Sequence, residues 1–129
     1  MEKIVFVIFC FVSCISIGQE LNCQEFKTGK YKIVDSENGN IIIERSESRI
    51  ISFNEKSKFK TESDIEWINT CSYVSKNMVV IENPNGIKVY NEKSIDTTEI
   101  IDTRANSYLE KITDGTFNIS MEREVFIIK

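Results

Sequence analysis

From Gly29 onward the chain is a series of short β-branched and aromatic runs cut by polar turn residues at spacings of roughly 8–12 residues. No stretch sustains a helical period of apolar residues. Ile is abundant, while Leu and Ala, the best helix formers, are nearly absent after residue 18. Such a pattern constrains the chain to strands joined by turns, an all-β fold.

The first run is Gly29-Lys30-Tyr31-Lys32-Ile33-Val34, with Tyr31 and Ile33 on one face and the lysines on the other. Glu37-Asn38-Gly39-Asn40 is a turn, since Asn-Gly readily takes the positive φ that hairpins need. Further strands are predicted at Ile41–Arg45 and at Arg49–Phe53, with Ile51 and Phe53 facing inward. Lys58–Ile68 follows, with a bulge at Glu62-Ser63-Asp64. Then come Cys71–Val74, Met78–Ile81, Ile87–Tyr90, Thr97–Asp102, Ser107–Ile112, Thr116–Ser120 and Val125–Ile128. Ser75-Lys76-Asn77 and Asn83-Pro84-Asn85-Gly86 read as turns. Met78–Ile81, apolar throughout, reads as buried on both faces. Gln19–Lys27 is an extended lead-in anchored by Cys23 and Phe26. About 8–10 strands in this order form an antiparallel up-and-down meander, either barrel-like or a strongly curved sheet. A barrel hides the open edges that an Ile-rich sheet cannot safely expose.

Met1 to Gly18 reads as a secretory signal: Lys3, an apolar core from Ile4 to Val12, and small residues before a cleavage at Gln19. The alternatives are a lipoprotein signal with the lipid on Cys14, or an uncleaved anchor. About 110 residues remain, enough for one domain, 19–129. No later apolar run reaches membrane-spanning length, so no transmembrane segment is expected in the mature chain. An exported chain meets an oxidising compartment, periplasmic or extracellular. Its two remaining cysteines, Cys23 and Cys71, are expected to form one disulfide.

Net charge is −4, which removes the basic face that nucleic acid requires. There is no His, so the commonest general base and metal ligand is missing. Glu44, Glu47, Glu55, Glu62, Asp64 and Glu66 are numerous but form no catalytic or Ca²⁺-loop pattern. No catalytic residue, metal ligand or cofactor is assigned. Tyr31, Trp67, Tyr73, Tyr90 and Tyr108 are candidates for core packing or for lining a ligand cavity. Lys56, Lys58 and Lys60 fall on one face of a strand, which makes a charged edge or an anion contact. Arg45, Arg49 and Arg123 are suited to plugging barrel ends by pairing with carboxylates.

Cys23-Gln24-Glu25-Phe26-Lys27-Thr28-Gly29-Lys30-Tyr31, the Ile41–Arg45 strand, Lys58-Phe59-Lys60, Trp67 and Cys71-Ser72-Tyr73 resemble a family of small exported bacterial proteins of unknown function. Its pattern is Cys-x-x-Phe-Lys-x-Gly, an Ile-Arg strand and Trp-x-x-x-Cys-x-Tyr. A DNA topoisomerase IV label carried by some members is a misannotation for an acidic exported chain. The resemblance implies structural roles for Cys23, Gly29, Trp67, Cys71 and Tyr73 and no catalytic residues. The chain departs from the family at Glu62-Ser63-Asp64, which is more polar than the usual strand leading to Trp. More distantly, Gly29-Lys30-Tyr31 is similar to the Gly-x-Trp opening of lipocalin-like barrels, an architectural analogy.

Three functions remain. One is a non-enzymatic module holding a small apolar ligand in a barrel. Another is an envelope structural or protein-interaction protein without a cavity. The third is an enzyme, disfavoured by the lack of His and of a nucleophile motif.

Overall fold

A computed structural model describes residues 21–90 and 92–129. The signal-peptide and Cys14 expectations lie outside these residues. Eight antiparallel strands close into one barrel in sequence order: β1 (Gly29–Ile33), β2 (Ile41–Arg45), β3 (Arg49–Asn54), β4 (Lys60–Asn69), β5 (Ser72–Glu82), β6 (Asp96–Thr103), β7 (Ser107–Thr113) and β8 (Ser120–Ile127). β8 returns to β1 through Tyr31↔Ile127 and Lys32↔Phe126. No described helix is long and apolar enough to cross a membrane.

Eight strands enclose an interior just wide enough to be filled by side chains or to hold one small ligand. This barrel is filled by side chains at one end and leaves a cavity at the other. Strand direction puts residues 46–48, 70–71 and 104–106 at one end with the segment before β1, and the longer connections 34–40, 55–59, 83–95 and 114–119 at the other. At the first end Tyr31, Ile43, Ile100, Tyr108 and Val125 face inward and are buried. A 3-10 helix, Cys23–Phe26, folds beneath them and closes it, with Cys23 and Phe26 both buried.

Several elements differ from the sequence expectation. The lead-in is helical at Cys23–Phe26, because Phe26 must turn under Tyr108 to be buried. Ser72–Val74 and Met78–Ile81 belong to one strand, β5, with Ser75–Asn77 within it and Cys71 in the turn before it. Two steps on β4, from Glu62 to Asp64, face three on β5, from Val79 to Lys76. The irregularity falls where Glu62-Ser63-Asp64 suggested it, but the extra residue is on β5. Asn77 absorbs it with φ 57°, its amide bonded to Asp64 Oδ2 at 3.1 Å. Met78–Ile81 is not buried on both faces, since Val79 and Ile81 are exposed outside. Ile87–Tyr90 and Thr116–Ile119 are connections, and Val125–Ile127 ends the single strand β8.

β3 corrects the facing of its apolar residues. Arg45 and Ile43 point inward, and they pair with Ile50 and Ser52. Ile51 and Phe53 therefore point outward, opposite Glu44 and Ile42.

Candidate functional site: a plugged end and an open mouth

The closed end is organised by Arg45. Its Nη2 donates to the Phe26 carbonyl and its Nε to the Lys27 carbonyl at 3.1 Å. Nη1 donates to Tyr108 Oη at 2.9 Å and Tyr73 Oη at 3.4 Å. The guanidinium carbon also lies 4.7 Å from the Tyr31 ring centre, 5.3 Å from Tyr73, 5.5 Å from Tyr108 and 5.8 Å from Trp67. No carboxylate pairs with it among the described residues. Carbonyls, phenols and π-faces take over the solvation of the buried charge. Trp67 packs on Tyr73 with centroids 4.9 Å apart and lies beneath Lys27 Nζ at 5.2 Å. The Cys23–Cys71 disulfide ties the plug to the β4–β5 turn.

Of the five aromatic candidates, Tyr31, Tyr73 and Tyr108 thus form the core of the plugged end, with Trp67 half-buried beside them. Tyr90 stands apart at the other end, 78% exposed. Arg45 plugs an end, but through carbonyls and phenols. Arg123 sits inside the barrel, its Nε 2.7 Å from Glu110 Oε1, one inward position from the plug toward the mouth. Arg49 stays outside, paired with Glu62 at 2.9 Å.

Burial pushes the phenols of Tyr73 and Tyr108 up, the Glu110 charge adds to this, and Arg45 opposes it. Burial raises Tyr31 as well, again against Arg45. These groups keep their protons in the folded chain beyond the ordinary tyrosine value of about 10. The unfolded chain releases its protons from about pH 10, so their contribution is full below that value and falls as pH rises through it. The tyrosinate absorbance of Tyr31, Tyr73 and Tyr108 should therefore rise together with loss of the β-sheet circular dichroism above pH 10. Titration of these three tyrosines with the sheet intact would contradict their burial.

At the mouth the inward positions of β3 and β4 are small and polar, Ser52 opposite Thr61. They leave space that aromatics fill at the plug. A cavity of about 510 Å³ results, walled by Ile41, Ser52, Thr61 and Met78 below and by Phe59, Ile87, Val89, Tyr90 and Phe117 above.

Two connections position its upper wall. In the 83–95 connection, Asn83 brackets the turn through its side chain, accepting from Ile87 N–H at 2.8 Å and donating to Ile87 O at 2.9 Å. Asn85 Nδ2 then donates to Ser57 O at 2.9 Å, holding this connection against the β3–β4 turn. In the β7–β8 turn, Asp114 Oδ1 accepts from Thr116 N–H at 2.7 Å and Phe117 N–H at 3.0 Å. Gly115 packs so closely on Ile95 that a Cβ there would lie 2.0 Å from the Ile95 carbonyl oxygen. Phe117 is thereby fixed over the cavity, yet 61% exposed. Ile119 and Met121 continue the apolar rim and are more than half exposed. With Ile112, Asp96 and Asp114 they line a second part of the mouth, about 270 Å³, which shares Phe117.

The outside of β1–β4 carries a depression of about 550 Å³ over Ile42, Ile51, Phe53 and Ile128. It is the larger in volume, but it lies on a sheet surface edged by Lys30, Glu44, Glu55, Lys60 and Glu82, with Lys30 and Glu44 paired at 3.6 Å. The mouth has the concave, mainly apolar wall with few polar groups that small-molecule sites show.

Lys56, Lys58 and Lys60 do not share a strand face. Only Lys60 is in β4, because the chain turns at 55–59 and Lys58 takes φ 60°. Lys56 Nζ donates to Glu37 O at 2.7 Å, and Lys58 Nζ lies 5.7 Å from the Phe53 ring centre. No group of three or more His, Cys, Asp or Glu among the described residues is placed to hold a metal ion.

The fold and site together define an eight-stranded up-and-down barrel with one plugged end and one open apolar mouth. Comparison with protein-family models, curated proteins and solved structures finds no match.

Proposed function

We propose that this chain is a non-enzymatic binding module of the extracytoplasmic space that holds a small apolar ligand in the barrel mouth. The observation that carries the reading is the unfilled mouth, a cavity of about 510 Å³ whose apolar wall stays open to water through Phe117. Exposed aromatic and aliphatic groups around a concavity gain free energy when a ligand covers them, at about 25 cal/mol per Å². The volume also lies in the 300–1,000 Å³ range of small-molecule sites. Export agrees with the Cys23–Cys71 disulfide, a bond that persists in oxidising compartments. The likeness to small exported bacterial proteins points the same way.

A second reading, an envelope protein-interaction role, draws on the outer depression over Ile42, Ile51 and Phe53. N-phenyl-1-naphthylamine, a neutral apolar fluorophore, separates the two. It should bind with saturable fluorescence enhancement at one site per chain. Phe117→Asp should weaken it about tenfold or more, because a charge would then face the apolar wall. Absence of saturable binding favours the interaction role.

A further inference from the structure

Two hydroxyls narrow the chemistry of the ligand, an inference that rests on the mouth being its site. Ser52 and Thr61 are directly opposed across β3 and β4 and both line the cavity. Neither side chain has a hydrogen-bond partner among the described residues. The neighbouring polar groups are engaged. Asn54 Oδ1 accepts from Lys56 and Ser57 N–H, its Nδ2 donates to Asn38 O, and Ser57 Oγ accepts from Phe59 N–H.

Charge is missing from this wall. No Asp, Glu or Arg lines the cavity, and its one ionic residue, Lys88, is exposed on the 83–95 connection. Deeper in the barrel Arg123 and Arg45 are already bound to Glu110 and to the plug. A carboxylate seated on the Ser52–Thr61 pair would lose water without meeting a cation there, which is costly. A purely hydrocarbon ligand would strip water from two hydroxyls and return nothing. A hydroxyl both donates and accepts, so the pair serves equally a ligand alcohol, carbonyl or ester oxygen.

We propose that the ligand is an uncharged, mainly apolar molecule bearing one such oxygen. That oxygen sits at Ser52 and Thr61, and the apolar body lies against Ile41, Phe59, Met78 and Phe117.

The test is displacement of N-phenyl-1-naphthylamine by 1-dodecanol and by dodecanoate at pH 8, on the wild type and on Ser52→Ala/Thr61→Val. The wild type should prefer dodecanol by about tenfold or more. In the double variant the affinity for dodecanol should fall about tenfold relative to that for the fluorophore, the effect of one or two hydrogen bonds. Dodecanoate binding as tightly as dodecanol, on the wild type alone, would overturn the proposal. So would an unchanged dodecanol affinity in a folded double variant. If the wild type fails to bind the fluorophore at all, the mouth reading itself falls and takes this one with it. Fluorophore binding without alcohol preference removes only the ligand chemistry.

Discussion

Arg45→Ala should lower the free energy of unfolding by about 3–5 kcal/mol in urea denaturation. Arg45 is 4% exposed and ties the end of the Cys23–Phe26 helix to the barrel. Its removal strands the Phe26 and Lys27 carbonyls and takes the donor from Tyr108 and Tyr73. Each buried acceptor left without a partner costs about 1–3 kcal/mol. The aromatic faces lose their cation as well, worth about 0.5–2 kcal/mol. Arg45→Lys keeps the charge but not the planar fork that reaches carbonyls and phenols together, so it should cost less than Arg45→Ala and still be clearly destabilising. A loss below 1 kcal/mol for Arg45→Ala would show that the plug is held by packing alone.

Removing the Cys23–Cys71 bridge by Cys23→Ser/Cys71→Ser should cost about 4 kcal/mol by the chain-entropy model. The bridge joins residues 48 positions apart and closes all of β1–β4 into a loop. A small domain has only about 5–15 kcal/mol in total, so this is a large fraction. The first element released should be the Cys23–Phe26 helix, which has no sheet partner. Hydrogen exchange should speed up at the plug before it does at β6–β8. Uniform exchange across all strands would instead mean that the bridge acts only on the unfolded chain.

The plug was more legible in the sequence than the mouth. Alternation in Gly29–Ile33 places Tyr31 and Ile33 together, and export of a chain with two remaining cysteines calls for their pairing. The structure contains both features. Arg45 was legible only as a barrel-end cation, because the carbonyls and phenols that accept from it lie 18 to 63 residues away in the chain.

The mouth was concealed by β3. In Arg49-Ile50-Ile51-Ser52-Phe53 apolar residues occupy both alternation phases, so either phase could be taken as the inner one. The more apolar choice, Ile51 and Phe53, is the outer one. A signal was available in the hairpin: Ile43 faces inward, and the short 46–48 turn pairs it with Ser52. That assignment puts Ser52 and, across the next pair, Thr61 inside. Tyr90 was legible as an aromatic for the core or a cavity wall, but its place at the mouth comes from the 83–95 connection. Phe59, Met78 and Phe117 carried no local signal, because their common wall is assembled from a turn, a bulged strand and a second turn far apart in sequence.

The most direct test of the open-mouth reading is an amide ¹H–¹⁵N NMR titration of the wild type with N-phenyl-1-naphthylamine. Saturating shifts should gather at Ile41, Ser52, Thr61, Met78 and Phe117, with little change at Ile100 or Val125 near the plug. Shifts gathered instead at Ile42, Ile51 and Phe53 would place binding on the outer sheet and contradict the central claim.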